Sequence, residues 1–382
     1  MTLHAEVTVS QLCKNGEELC GDNVQITRTG DSLIVVVSDG LGSGVKANIL
    51  ATLTTKIASS MLARGASLDD VVETIAQTLP VCRERKIAYS TLQILRIDQT
   101  GNATLVEFDS PRTLLSRAGH VMPFPAQTKM VGGKSVLAGQ FELKEDDWVI
   151  MVSDGVIHAG IGGLLPLGLG WEGLSARLAE DVVKATDTTD ICASLLNCCE
   201  GYYLGKPGDD TTIVAVKIRR PRWLNLMMGP PASPEQDEEV VRRFLAAPGQ
   251  KVVSGGTTAT LVSRVMGKPL KVSLEYHDPS IPPIAFLDGI DLVTEGVLTL
   301  NAAADKLRAL PDLKRSNRKD GATLIARLLM DVDHVHIWAG GAVNPAHQNP
   351  LLPSAMNIKV QVLGRLRTQL EALGKVVQID WV

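Results

Sequence analysis

Apolar, strand-like runs in this chain repeatedly meet an aspartate beside a glycine, and this pattern restricts the fold more than any other feature. The runs LIVVVSDG (33–40) and WVIMVSDG (148–155) end in such a pair, while GDNVQITR (21–28) and GDDTTIVAVKI (208–218) begin with one. Because apolar strands must be buried in a sheet, their acidic ends are expected at the sheet edge. The carboxylates expected there are Asp22, Asp39, Asp154, Asp209 and Asp210.

The first two runs are predicted to form a β-hairpin. Gly30-Asp31 suits a two-residue type II′ turn, and the register that follows places Asp22 directly opposite Asp39. Both would lie on the face that carries Val24 and Val35, which is the apolar and therefore buried face. Two opposed carboxylates at the edge of such a face repel each other and resist desolvation. A bound cation would relieve both effects.

The chain also offers the oxygen ligands that such a cation needs. Asp39 opens DGLGSG, whose glycines allow a sharp turn that brings the Gly40 carbonyl toward the same point. Four carboxylates and a carbonyl, with no His or Cys among them, suit Mg²⁺ or Mn²⁺ better than zinc. Any single Asp–Gly pair is also typical of an ordinary turn. The inference therefore depends on the ordered combination of segments.

The pattern of the chain divides it into a domain over 1–220, a linker over 221–233 and a smaller domain over 234–382. The first part has Gly-punctuated strands and helical stretches at 47–65, 67–80 and 179–205, which favours antiparallel sheets covered by helices. The last part alternates helix and strand and is predicted to be α/β with some parallel strands. The strands predicted for the first part are 24–28, 33–38, 88–97, 103–108, 112–117, 147–153 and 211–218.

Composition excludes several classes of function. The formal net charge is −4 over 382 residues, which argues against binding to nucleic acid through non-specific phosphate contacts. No apolar run is long enough to cross a membrane, and the first residues lack the pattern of a secretory signal. Six cysteines without a CxxC pair favour reduced thiols. We therefore expect a cytoplasmic protein that binds neither nucleic acid nor membrane.

Residues 5–220 resemble the metal-dependent (PPM, type 2C) protein serine/threonine phosphatases, in particular the bacterial branch typified by stage II sporulation protein E. The resemblance implies an α+β fold, an α-β-β-α sandwich with two Mn²⁺ or Mg²⁺ ions at one end of the paired sheets. The motifs that carry it are Gly21-Asp22, Ser38-Asp39-Gly40-Leu41-Gly42-Ser43-Gly44, Ser90-Thr91-Leu92-Gln93-Ile94, Ser110-Pro111-Arg112, Ser153-Asp154-Gly155-Val156 and Gly208-Asp209-Asp210-Thr211-Thr212.

The resemblance also implies a role for each acidic residue. Asp22 and Asp39 would bind the metals, with Asp39 bridging them and the Gly40 carbonyl adding a ligand. Asp154 and Asp210 would hold the second ion, and Asp210 is favoured over Asp209 because the family uses the second Asp of the pair. A water activated by the metals would attack phosphorus without a covalent enzyme intermediate.

No general acid is assigned by the sequence. Eukaryotic members use an Arg to clamp the phosphate and a His as proton donor, and no motif here matches either residue. His120 and His158 lie in the domain. His158, four residues after Asp154, either approaches the metal centre or belongs to a surface loop.

In the sporulation branch the substrates are phosphoserine or phosphothreonine on small anti-sigma-factor antagonists, so we expect a phosphoprotein substrate. We also expect a homodimer. Helices after DGxGxG gate activity there, which makes residues 46–79 either a switch or simply a packed helix. The predicted core face is Ile49, Leu53, Ile57, Met61 and Leu62. Two alternatives stay open: an inactive scaffold that binds a phosphoprotein, and a ligand sensor dominated by the C-terminal domain.

The second domain contains three candidate features. The segment Ser254-Gly255-Gly256-Thr257-Thr258 between a strand and a helix suits either an anion site or a plain capped turn. A second group of acidic residues would line a polar pocket or cap a helix, and a group of histidines would bind zinc or lie on a sheet surface. The acidic group is Asp288, Asp291 and Glu295, and the histidine group is His334, His336 and His347.

Overall fold

The computed structural model describes residues 2–78, 90–131, 133–309, 313, 316–341 and 358–382. The chain forms two compact units, Met1–Arg220 and Pro221–Val382. In the described residues no helix has the length and apolar character needed to cross a membrane.

Two antiparallel sheets form the first unit. One has the order β2-β3-β4-β5-β9-β8, with strands β2 (Asp22–Arg28), β3 (Ser32–Asp39), β4 (Leu92–Asp98), β5 (Asn102–Phe108), β8 (Gln127–Val131) and β9 (Lys134–Glu142). The other has the order β1-β11-β10-β6-β7, with strands β1 (His4–Leu12), β6 (Leu114–Arg117), β7 (His120–Pro123), β10 (Trp148–Val152) and β11 (Thr211–Arg219).

The apolar faces of these sheets pack against each other. Val35 and Leu95 of one sheet share a buried cluster with Met151 and Val214 of the other. The outer face of the first sheet is covered by helices and so is that of the second, which gives the predicted α-β-β-α sandwich. The helices are α1 (Gly44–Ala63) and α2 (Leu68–Thr78) on the first sheet, and α3 (Asp154–Ile157), α4 (Gly170–Asp181) and α5 (Thr188–Tyr202) on the second.

The core face of α1 differs from the prediction. Ile49 and Leu53 are 52% and 49% exposed, so their assignment to the core was wrong, while Leu62 is buried as expected. The side chains against the sheet are mostly small, including Ala47 and Ala51. Small residues let the helix lie close to the strands, and the large apolar side chains of the opposite face point outward. Ile57 and Met61 are partly buried against the same core.

The structure contains several helices and strands that the sequence did not predict. Strand β1 (HAEVTVSQL) buries little of its surface, and β7 and β8 are mostly exposed, so none carries a continuous apolar run. Helix α4 begins at the end of a glycine-rich segment, 158–171, whose composition obscures the start of the helix. The strand predicted over 88–97 begins at Leu92 in the structure, and residues 79–89 lie outside the described part.

The second unit is an α/β fold, as predicted. Its sheet has the order β14-β15-β16-β13-β12-β17-β18, and the last five strands of that order are parallel. The strands are β12 (Trp223–Met228), β13 (Gln250–Ser254), β14 (Lys271–Val272), β15 (Ala285–Phe286), β16 (Leu292–Thr294), β17 (His334–Ala339) and β18 (Val376–Trp381). The helices are α6 (Asp237–Ala246), α7 (Gly256–Met266), α8 (Val297–Arg308), α9 (Gly321–Asp331) and α10 (Ile358–Ala372).

The linker expected over 221–233 contains β12, so that part of the prediction was wrong. Leu224, Leu226 and Met227 are buried, and β12 pairs with β13 on one side and β17 on the other. The prolines and Gly229 that flank the strand produce the linker-like composition, while the six-residue strand itself is a core element of the sheet.

Candidate metal centre

The hairpin of β2 and β3 places Asp22 directly opposite Asp39, as the sequence predicts. The chain reverses between Thr29 and Ser32, where the Thr29 amide donates to the Ser32 carbonyl at 2.9 Å. Asp22 is only 2% exposed, although it carries a carboxylate at the end of an apolar face. The register of one local turn therefore brings the first two candidate ligands together.

The second sheet supplies Asp154 and Asp210 from neighbouring strands. Asp154 begins α3 immediately after β10, and Asp210 immediately precedes β11. A Cβ atom on Gly155 would lie 2.1 Å from the Asp210 carbonyl oxygen, so only glycine permits this approach. The glycine of the Ser-Asp-Gly motif thus fixes the spacing between the two acidic strand ends.

Direct contacts join the acidic ends of the two sheets. Thr212 Oγ1 donates to Asp22 Oδ2 at 2.6 Å, and Gln11 Nε2 donates to Thr212 Oγ1 at 2.9 Å. Asp39 and Asp154 also lie near enough to interact electrostatically, since the charge of Asp154 contributes to the raised pKa of Asp39. The structure therefore brings Asp22, Asp39 and Asp154 to one end of the sandwich.

Gly40 lies where the sequence places it, directly after Asp39 at this edge. It forms an isolated antiparallel bridge with Ser90, and the Asp39 amide donates to Thr91 Oγ1 at 2.9 Å. A Cβ atom on Gly40 would lie 2.1 Å from the Ala47 carbonyl oxygen, so this position also requires glycine. The turn after β3 is consequently packed tightly against the first turn of α1.

Burial and mutual repulsion raise the pKa values of Asp22, Asp39 and Asp154. Burial, and then the charges of Asp22 and Asp154 in particular, raise the pKa of Asp39 to about 9. Burial is also the main cause that raises the pKa of Asp22 to about 6, and Asp154 shifts in the same direction. A carboxyl group such as Asp39, which resists ionisation at neutral pH, is expected where a cation normally supplies the missing charge.

Two buried carboxylate oxygens of this site have no hydrogen-bond partner among the described residues. They are Asp22 Oδ1 and Asp210 Oδ2. Orphaned buried oxygens of this kind fit a cation better than a purely structural role. No three His, Cys, Asp or Glu side chains in the described residues are arranged to hold one ion by themselves. Water ligands would therefore have to complete the coordination, as Mg²⁺ usually requires.

Asp209 and Asp210 differ in their surroundings. Asp210 is 3% exposed, and its Oδ1 accepts a hydrogen bond at 2.9 Å from the Lys14 amide. Asp209 is more exposed and lies 3.7 Å from Lys14 Nζ. Asp210 is thus the more buried of the two, and Lys14 is a residue of the site that the sequence analysis missed.

The candidate histidines, His120 and His158, and the arginine of the Ser110-Pro111-Arg112 motif make few contacts with the aspartates of this site. His158 Nδ1 lies 3.7 Å from Asp154 Oδ2, and about half of its side chain is exposed. His120 lies on the exposed β7, in the hairpin with β6. Arg112 pairs with the buried Glu107 at 3.0 Å, which is a structural contact. Of these residues, only His158 reaches a candidate metal ligand.

Sequence reasoning also missed the hydroxyl groups that orient the acids. Thr212 and Ser153 are buried beside Asp22 and Asp210, and the Thr212 amide donates to Ser153 Oγ at 2.8 Å. The adjoining Thr-Thr of GDDTT and Ser of SDG are the only available sequence signals for them. Their function depends on contacts between distant strands, which spacing does not show.

In the second unit, the polar groups of the Ser254–Thr258 segment bind other parts of the chain. Ser254 Oγ donates to the Glu295 carbonyl at 2.9 Å, and Thr258 Oγ1 accepts from the Gly229 amide at 2.8 Å. The Gly255 amide donates to the Thr294 carbonyl. These contacts favour the plain capped turn over the anion site.

Most of the other candidate residues of the second unit also have internal partners, while Glu295 Oε2 is buried without one among the described residues. Asp288 pairs with Lys268 at 2.7 Å, and Asp291 accepts from the Lys251 amide at 2.7 Å. His334 stacks on Trp223 and His336 pairs with Asp380 at 2.8 Å, while His347 lies outside the described residues. The described histidines thus lie on the sheet surface, each with its own partner.

The family model of stage II sporulation protein E matches residues 29–219. The chain is 25% identical over 224 residues to stage II sporulation protein E of Bacillus subtilis (strain 168), and 22% identical over 229 residues to that of Priestia megaterium. These matches cover 56% and 57% of this chain but only 26% and 37% of the two relatives. The chain therefore spans between a quarter and two fifths of those relatives.

A solved structure supports the same fold. The PP2C phosphatase domain of SpoIIE from Bacillus subtilis, solved with a fragment of its regulatory domain, has a TM-score of 0.51 at 23% identity. The match covers 57% of this chain and 63% of that chain.

Proposed function

Because the chain belongs to the stage II sporulation protein E family, we propose that it is a metal-dependent phosphoprotein phosphatase of bacterial signalling that hydrolyses phosphoserine or phosphothreonine. The observation that carries the proposal is the cluster of aspartates at one end of the sandwich. Two of its buried oxygens lack hydrogen-bond partners among the described residues. The family is metal-dependent, and this cluster provides oxygen ligands for metal ions.

Asp22, Asp39, Asp154 and Asp210, with the Gly40 carbonyl, would hold two Mg²⁺ or Mn²⁺ ions. When bound, such ions activate a water for attack on phosphorus and offset the charge of the phosphoryl oxygens. Asp39 would suit the bridging position because it lies opposite Asp22 across the hairpin and interacts electrostatically with Asp154 of the other sheet. Asp209 is the less suitable ligand because it is more exposed than Asp210.

The remaining residues of the site hold these ligands in place. Thr212 donates to Asp22 and leaves the other oxygen of that carboxylate free for a cation. The Lys14 amide does the same for Asp210. Such supporting hydrogen bonds fix the orientation of a ligand and tune its basicity.

The expected substrate is a phosphoprotein, with a small anti-sigma-factor antagonist as the specific candidate. A homodimer and a cytoplasmic location belong to the same proposal. The comparisons support phosphatase chemistry through the family match. The scaffold and ligand-sensor alternatives predict the same fold, so only an activity measurement separates them from an enzyme.

The test is hydrolysis of phosphothreonine, phosphoserine and phosphotyrosine peptides by the full chain, with Mn²⁺ titrated against EDTA. We expect metal-dependent turnover of the first two peptides and its loss, by at least about 1,000-fold, in Asp39→Asn and Asp210→Asn. The matched control is Asp31→Asn, at the exposed turn on the opposite end of the same hairpin. Turnover that survives in EDTA, or in both active-site variants, would contradict the proposal.

A further inference from the structure

The loop between β1 and β2 carries Lys14 to the acidic end of the sandwich. Its backbone is fixed there, because the Lys14 amide donates to Asp210 Oδ1 at 2.9 Å and the Asn15 amide donates to the Pro207 carbonyl at 2.8 Å. Further along the loop, Glu17 accepts from Ser43 Oγ at 2.8 Å, beside the turn after β3. The loop is thus attached to both acidic segments.

The side chain of Lys14 is less firmly engaged than its backbone. Its Nζ atom lies 3.7 Å from Asp209 Oδ1, which is beyond hydrogen-bond distance, and 38% of the side chain is exposed. Among the ion pairs of the described residues, this one alone brings a lysine or arginine to the five aspartates. The ammonium group therefore lies at the solvent-facing rim of the site with hydrogen atoms available for another acceptor.

The negative charge of the acidic site suggests a role for the Lys14 ammonium group. If all five aspartates of the site are ionised, they carry five negative charges, and two divalent ions would offset four of them. These aspartates are Asp22, Asp39, Asp154, Asp209 and Asp210. A phosphate monoester is itself a dianion near neutral pH, so it would approach a net negative site. One lysine at the rim removes that excess charge and offers a charge-assisted hydrogen bond to a phosphoryl oxygen.

We propose that Lys14 Nζ binds the phosphoryl group of the substrate and turns from Asp209 to a phosphoryl oxygen when the phosphoprotein docks. This inference rests on the proposed phosphatase function and assigns the phosphate-binding cation that the sequence motifs leave open. It makes Lys14 a catalytic residue, since its ammonium touches the group that is transferred to water. Its backbone amide separately orients Asp210.

The test compares the wild-type full chain with Lys14→Met, Lys14→Arg and the control Lys184→Met, which changes an exposed lysine of the same unit. Binding of inorganic phosphate to the Mn²⁺-loaded proteins is measured by calorimetry, and KM and kcat are measured with a phosphothreonine peptide. We expect Lys14→Met to weaken phosphate binding and raise KM by about tenfold. Lys14→Arg should restore most of both, and Lys184→Met should match the wild type.

Mn²⁺ binding and the melting temperature separate this role from a structural one. Both should stay near the wild-type values in Lys14→Met, because the substitution retains the backbone amide that contacts Asp210. If that variant is unstable, the comparison of Lys14→Arg with Lys14→Gln tests the same charge. Unchanged phosphate affinity and KM in Lys14→Met would overturn the Lys14 inference alone. Absence of turnover in the wild type would instead contradict the proposed function.

Discussion

Replacing Asp39 with asparagine should stabilise the metal-free protein while it destroys catalysis. Burial and neighbouring carboxylates raise the pKa of Asp39 from 3.8 to about 9. Each pKa unit between the unfolded value and the working pH costs about 1.4 kcal/mol, so at pH 7 the upper limit of the cost is about 4 kcal/mol. Asparagine has nearly the same shape and no charge. Since solvent contact relieves part of the cost, we expect a gain of about 2 kcal/mol.

The pH dependence gives this prediction its sign. The folded protein holds the proton on Asp39 more tightly than the unfolded chain does. The contribution of this proton to the free energy of unfolding is therefore fully present below about pH 4. It is lost as the pH rises toward about 9. The wild type in EDTA should therefore lose more stability than Asp39→Asn over this range, and the difference between them should widen with pH.

The assay is urea denaturation of both full-length proteins in EDTA between pH 5 and 9, monitored by near-ultraviolet circular dichroism. Added Mn²⁺ should reverse the order if the proposed assignment is right, because the folded wild type would bind the ion and the variant would lack a bridging ligand. A variant that is less stable than the wild type at pH 8 in EDTA would refute the reasoning. A stability difference that does not vary with pH would refute it equally.

Three further substitutions test the packing around the site. Thr212→Val removes the donor to Asp22 Oδ2 and should lower kcat about 10- to 100-fold, measured with a phosphothreonine peptide, while the chain stays folded by circular dichroism. Gly155→Ala places a methyl group against a backbone carbonyl and should cost about 3 kcal/mol of unfolding free energy in urea. Arg112→Met leaves the buried Glu107 without its ion pair and should cost about 3 kcal/mol without changing KM.

The parts of the site that the sequence predicted depend on local geometry. A two-residue turn determines the strand register, so the pairing of Asp22 with Asp39 follows from the residues between them. The continuous apolar run of β3 likewise identifies a buried strand, while the α-β-β-α layers were expected from the family resemblance. The strong motif pattern then places the acids at strand ends, where they are found.

The parts that the sequence did not predict depend on contacts between distant segments. Whether Ile49 or Ala47 of α1 faces the sheet depends on how closely the helix approaches the strands, and hydrophobicity alone suggested the wrong side. Strand β12 was hidden by the prolines around it. Lys14 reaches Asp209 and Asp210 only after β1 pairs with β11, which lie about two hundred residues apart in the chain.

Electron paramagnetic resonance of bound Mn²⁺ tests whether the aspartates form a dinuclear catalytic centre. Turnover is measured on the same samples. We predict two exchange-coupled Mn²⁺ ions per chain, phosphothreonine hydrolysis that rises with occupancy of the pair, and loss of the coupling and of turnover in Asp39→Asn. Uncoupled ions, or hydrolysis at full rate in EDTA, would contradict the proposed centre.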